Sequence, residues 1–162
     1  MPTSRVLVID DVSVIRGFVK GALKHLDVRV GEASRADLAL DMLKSMPADV
    51  IICDLNMPGM NGEAFVQALR DRGDDTPVIM LTVEADRAVV AKLLKLGVQG
   101  YLLKPFKPAI LAARVQELID GTAPIKPYEA PADVEAEADA ADAPPAEPTE
   151  PTEPAESTDT PA

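Results

Sequence analysis

Apolar residues crowd into five short runs in the first 120 residues, at 6–9, 28–30, 50–53, 78–81 and 101–103. Four of these runs are rich in valine and isoleucine and show no polar alternation at their centres. Strands that read this way belong to a parallel sheet covered on both faces. The stretches between them carry helical periodicity. Val14, Phe18 and Ala22 recur every fourth residue, as do Ala64, Ala68 and Arg72. Leu38, Met42 and Ser45 mark another helix, with Ser34 in position to cap it. Val89, Leu93 and Leu96 form an inner stripe that Gly97 closes. Ile110, Arg114, Glu117 and Leu118 belong to a last helix that Gly121 can end.

Strand and helix thus alternate five times. Right-handed crossovers then place helices on both faces of one five-stranded parallel sheet, a doubly wound α/β fold. Such sheets hold their sites beyond the carboxyl ends of the strands, near a topological switch point.

Composition divides the chain in two. Residues 1–126 carry 16 Lys and Arg against 16 Asp and Glu. Residues 127–162 hold eleven acidic side chains and no basic one, with eight Pro and ten Ala, so the whole net charge of −11 sits there. Tyr128 and Val134, the only sizeable apolar side chains of that stretch, cannot offset an ordering entropy of about 1–2 kcal/mol per residue. The expected organisation is a globular domain at 1–121 and a disordered acidic Pro/Ala/Glu-rich tail at 122–162. A proline–threonine–glutamate repeat at 148–153 suits a solvated polyproline II spacer.

Several classes drop out. No apolar run approaches the ~20 residues of a membrane span, and the first ten residues lack a signal peptide's shape. One cysteine, Cys53, and one histidine, His25, exclude an internal disulfide and a zinc site. A neutral domain with an acidic tail is a poor match for DNA or an anionic membrane. The expectation is a cytoplasmic protein, monomeric or weakly dimeric.

Polar residues gather where the fold class locates chemistry. Asp10 and Asp11 follow the first run, Asp54 the third, Thr82 the fourth and Lys104 the fifth. Singly, each has a bland role: Asp10 or Asp11 as a helix N-cap, Thr82 as the cap of a helix beginning near Asp86, Lys104 as a solvated lysine. Together they put three carboxylates, a hydroxyl and an ammonium on one rim, and packing asks for no such cluster. Neighbouring carboxylates repel and raise each other's pKa. A hard divalent cation relieves this, and Mg²⁺ takes a few carboxylate oxygens while keeping waters. With a hydroxyl and an ammonium added, the rim suits a transferring phosphoryl group. Asp54, alone on the central strand, is the candidate nucleophile for an acyl phosphate, with Asp10 and Asp11 as the metal pair.

The stretches Val6-Leu7-Val8-Ile9-Asp10-Asp11, Ile51-Ile52-Cys53-Asp54-Leu55-Asn56-Met57-Pro58-Gly59-Met60-Asn61-Gly62, Thr82 and Gly100-Tyr101-Leu102-Leu103-Lys104-Pro105-Phe106 together resemble the receiver domain of two-component response regulators, over residues 5–120. The resemblance implies the flavodoxin-like strand order 2-1-3-4-5, of which this family is a standard example. It implies that Asp54 accepts a phosphoryl group from a phosphohistidine on a sensor histidine kinase or histidine phosphotransfer protein. Asp11, Asp54 and the main-chain carbonyl of Asn56 would hold Mg²⁺ (or Mn²⁺), with Asp10 acting largely through water. Thr82 would bond the phosphoryl group and Lys104 pair with it. Movement of Thr82 would let Tyr101 rotate inward and remodel the surface of the fourth helix, fifth strand and fifth helix for a downstream protein target. A cis Lys104–Pro105 bond is implied too. The chain would then catalyse only its own phosphorylation and dephosphorylation. Asn56 and Glu84 match chemotaxis-type members at the positions flanking the phosphoryl site. Val83 departs from the family's usual Ala, Gly or Ser, and either crowds the entrance or packs against the loop.

Rival readings fit less well. A phosphatase of the haloacid-dehalogenase class needs Asp-x-Asp after the first strand, and here Val12 follows the adjacent pair. A flavin mononucleotide binder needs a Ser/Thr/Gly-rich first turn, whereas Asp10 and Asp11 repel a phosphate. A pseudo-receiver acting as a pure interaction module would not need the full residue set. Cys53 reads as a buried structural thiol facing away from the rim. His25 sits near a helix end, where a cation suits the dipole, and the methionines read as gap-fillers or surface residues.

Overall fold

The structure is a computed structural model and describes residues 3–84 and 86–122. Its strands are β1 (Ser4–Ile9), β2 (Val28–Ala33), β3 (Val50–Asp54), β4 (Val78–Thr82) and β5 (Gly100–Leu103). Between and after them run the helices α1 (Ser13–Ala22), α2 (Ala36–Ser45), α3 (Gly62–Asp71), α4 (Arg87–Lys95) and α5 (Pro108–Ile119). All strand pairs are parallel, in the order β2-β1-β3-β4-β5, as expected. The tail from 123 onward lies outside the described residues, and so does the proposed domain boundary's outcome.

Each strand of the sheet's centre divides its side chains between two cores. Leu7, Ile9, Ile51, Cys53 and Met80 pack against α2, α3 and α4. Val6, Val8, Val50, Ile52, Ile79 and Leu81 pack against α1 and α5. Every residue of β3 and β4 is buried, which is why their sequences lack polar alternation.

All the periodic stretches form helices, though the residues that face the core are not always the ones that mark the period. On α1 the inner residues are Ile15, Val19, Ala22 and, just beyond the helix, Leu23. Val14 is 74% exposed and Phe18 45%. On α2 Ala36, Ala39 and Leu43 face the core and Leu38 does not. On α3 the inner set is Phe65, Val66 and Leu69 rather than Ala64, Ala68 and Arg72. These helices carry apolar residues on more than one flank, so a count of every fourth residue fits several phases and picks no inner face. The α4 stripe of Val89, Leu93 and Leu96 is as expected. On α5, Leu111 and Val115 are the buried pair.

Helix ends follow local chemistry. Gly97 and Gly121 take φ of 77° and 67° after α4 and α5, the left-handed geometry that favours glycine. Ser34 does not cap α2. Strand β2 continues past Gly31 and Glu32 to Ala33, in register with Ile9, and Arg35 takes the cap position without a capping bond. Asn61 caps α3 by accepting from the Ala64 N–H at 2.8 Å.

Candidate functional site

Parallel pairing brings the carboxyl ends of β1, β3, β4 and β5 to one rim. Asp54 and Thr82 are the last residues of β3 and β4, while Asp10 follows β1 and Lys104 follows β5. Carboxylate oxygens of Asp10, Asp11 and Asp54 lie within 4.8 Å of one another. Asp10 and Asp54 are buried and Asp11 is exposed, so the cluster opens to solvent on one side.

The cluster is electrostatically engaged before any ligand arrives. Lys104 Nζ donates to Asp10 Oδ2 and Asp54 Oδ1, both at 3.0 Å, with its side chain only 17% exposed. Burial disfavours the ammonium, yet the bonds to Asp54 and Asp10 outweigh it and raise the Lys104 pKa. Burial lifts the Asp54 carboxyl above its usual range. The Lys104 hydrogen bond and the Asn56 main-chain N–H oppose that lift, while the charge of Asp10 adds to it. Lys104 is therefore not a lysine that acquires a partner only with a phosphoryl group.

The capping readings resolve. Asp10 Oδ1 accepts the Val12 N–H at 2.9 Å, a turn that leads into α1 while its other oxygen faces Lys104. Thr82 does not cap α4, because Asp86 does so through the Ala88 N–H. Thr82 is buried, and its Oγ1 accepts the Glu84 N–H at 2.9 Å. Tyr101 is opposite Met80 in the β4–β5 register, so Thr82, two residues beyond Met80, lies on the same face of the sheet as Tyr101. Tyr101 is half-buried against the core beneath α4. Val83 is 68% exposed, so packing does not hold it. The Lys104–Pro105 bond is cis.

The roles of two supporting residues escaped the sequence reading. Arg16 Nη1 donates to the Asp10 carbonyl at 2.7 Å while its Nε reaches Glu32 at 3.4 Å, tethering the loop that carries the acidic pair. An arginine one turn into the helix after two aspartates was the only sequence signal. Gly62 opens α3 against the end of β3, and its N–H donates to the Leu55 carbonyl at 2.9 Å. A Cβ there would collide with the Asp54 carbonyl oxygen and with Met80 Cε.

Cys53 is fully buried beside the rim strand. Burial, then the charges of Asp54 and Asp10, push its thiol well above the usual range, so it is inert. Arg114 is half-buried and donates to Glu117 at 2.8 Å.

A five-stranded parallel sheet of this order, with buried carboxylates bridged by an ammonium at its carboxyl ends, places the chain among the flavodoxin-like α/β domains. The family described as response regulator receiver domain matches residues 6–116, and the chain belongs to it. The chain is 34% identical over 119 residues to a chemotaxis protein CheY of Pseudomonas aeruginosa, covering 72% of this chain and 96% of that protein. It is also 36% identical over 103 residues to the Regulator of RpoS of Escherichia coli, spanning 31% of that longer protein. Among solved structures, chemotaxis protein CheY4 of Vibrio cholerae superposes with a TM-score of 0.68 at 34% identity, covering 72% of this chain and 99% of that one. The receiver domain of Francisella response regulator 1452 gives 0.70 at 32% identity, covering 74% and 98%. Among the described residues no helix is long and apolar enough to cross a membrane.

Proposed function

We propose that this receiver domain accepts a phosphoryl group on Asp54 from a phosphohistidine of a sensor kinase or phosphotransfer protein. A carboxylate oxygen of Asp54 attacks phosphorus, the phosphorus–nitrogen bond breaks, the imidazole leaves and an acyl phosphate remains. The observation that carries this reading is the Lys104 ammonium shared at 3.0 Å by Asp10 and Asp54. It stands where it can leave a carboxylate for an arriving phosphoryl oxygen as a charge-assisted partner.

Three carboxylates with only oxygen donors, one of them open to solvent, fit a hard divalent ion. Asp11, Asp54 and the Asn56 carbonyl would hold Mg²⁺, or Mn²⁺ in its place, with Asp10 behind them, and the ion would neutralise charge on the phosphoryl oxygens. Asp10 fixes the loop through its turn, and Lys104 keeps the buried pair from mutual repulsion. The exposed Val14 and Phe18 lie on α1, the helix that follows the acidic pair, and give a phosphodonor protein an apolar surface near the rim. Thr82 bonds the phosphoryl group, and Tyr101 on the same face of the sheet follows it inward. That change alters the α4-β5-α5 surface read by a downstream protein in the cytoplasm.

Amide spectra with and without a beryllofluoride mimic test this. With Mg²⁺, shifts are expected at Asp54, Thr82 and Tyr101. In the Lys104→Ala protein, changes at Tyr101 are expected to be lost. Changes that occur equally without divalent ion, or equally at Tyr101 in that variant, contradict the proposal.

A further inference from the structure

Two arginines stand side by side at the other end of the sheet. Arg5 of β1 and Arg29 of β2 are opposite each other in register. Strand alternation puts both on the face covered by α2, the side to which Leu7 and Ala33 contribute core. Like charges opposite one another on neighbouring strands are destabilising. Neither guanidinium makes a hydrogen bond or an ion pair among the described residues. Asp49 spends its Oδ2 on the Arg5 main-chain N–H at 2.7 Å.

The arginines flank a groove of about 200 Å³ between the amino ends of β1 and β2 and the last turn of α2, with Leu7, Gly31, Met42, Met46 and Ala48 among its walls. Gly31 keeps it open by lacking a side chain, since a Cβ there would come into ordinary contact with Leu7 Cδ1 at 3.5 Å, Met42 Cε at 3.9 Å and the Val6 carbonyl oxygen at 4.0 Å. Met46 is 45% exposed, and thioether side chains adapt to irregular partners. Strand β2 is the edge of the sheet, and no described strand pairs with its outer side.

We propose that this groove docks a short extended acidic segment of a partner protein. The segment adds along the open edge of β2, puts an apolar side chain between Met42 and Met46, and places carboxylates on Arg5 and Arg29. Charge complementarity selects this occupant. A bare anion would satisfy the arginines but leave the apolar groove empty, and an alkyl chain would fill the groove without using the strand edge. The groove lies at the amino ends of the strands, away from the carboxylate rim, so the inference does not rest on the phosphoacceptor reading.

The test titrates the labelled full chain with a blocked heptapeptide Thr-Glu-Thr-Leu-Thr-Glu-Thr, whose glutamates and leucine share one face of an extended strand. Saturable amide shifts are expected across residues 28–33 and 42–48. Arg29→Glu, an exposed position, is expected to weaken binding by about tenfold or more. Gly31→Leu is expected to weaken it too, by filling the groove, while the same peptide with lysine in place of glutamate leaves residues 28–33 and 42–48 unshifted. Unsaturable shifts, or equal affinity in both variants, overturn the proposal. The same shifts with acetate alone would reveal an adventitious anion only. Shifts that grow with protein concentration without peptide would assign the groove to a second copy. Either of these also overturns it.

Discussion

At the scale of single residues the rim is a balance between carboxylate repulsion and one ammonium. Removing Lys104 leaves Asp10 and Asp54 buried without their shared cation, and breaking such a pair is strongly destabilising. Lys104→Ala is therefore expected to lose about 1–3 kcal/mol in chelator, the site being partly open to solvent. Millimolar Mg²⁺ should narrow that deficit, because the carboxylate cluster without its ammonium is more negative and binds the cation more tightly than the parent's does, so the ion stabilises the folded variant more. Urea midpoints under both conditions measure this, and an equal loss in both contradicts it. Asp54 gives a pH-dependent counterpart. Its folded-state pKa is raised, chiefly by burial. The proton-bound form thus favours folding, a contribution complete below the unfolded pKa and lost as pH rises through the folded one. Asp54→Asn is expected to match the parent at acid pH and to exceed it in stability at neutral pH without metal. A parent protein at least as stable at neutral pH in chelator refutes this.

At the scale of elements, the site depends on how tightly α3 is brought against β3. Gly62→Ala puts a Cβ against the Asp54 carbonyl and Met80, so the helix must shift. A loss of about 1–3 kcal/mol is expected, with amide shifts at Asp54 and Leu55. A fully stable variant with unchanged shifts would show that the loop relaxes freely. The strands were legible because burial on both faces leaves an unbroken apolar signature, as at 50–53. The rim was legible because strand ends in this class converge. The inner faces of α1, α2 and α3 were not, because small residues such as Ala36 and Ala39 bury fully while Val14 and Leu38 stay in water. Arg16 was invisible for a similar reason. Its role is a bond to a main-chain carbonyl, which leaves no pattern in side-chain types. Gly62 ends the motif stretch that follows Asp54, but only the approach of two backbones shows why a side chain is excluded there.

At the scale of the whole molecule, the two ends of the sheet are built for different things. Carboxyl ends carry acids bridged by a lysine, whereas amino ends carry two arginines beside an apolar groove. The strand order that places β1 and β3 side by side at the centre brings Asp10, Asp11 and Asp54 together. No local pattern in the chain could do so, since more than forty residues separate Asp11 from Asp54. The central claim is that this convergence makes Asp54 a phosphoacceptor. Intact-mass measurement of the full chain after incubation with acetyl phosphate and Mg²⁺ tests it most directly. A single adduct of ~80 Da is expected for the added phosphoryl group, absent in chelator and absent from Asp54→Asn. An adduct of equal yield on the Asp54→Asn protein would contradict the account.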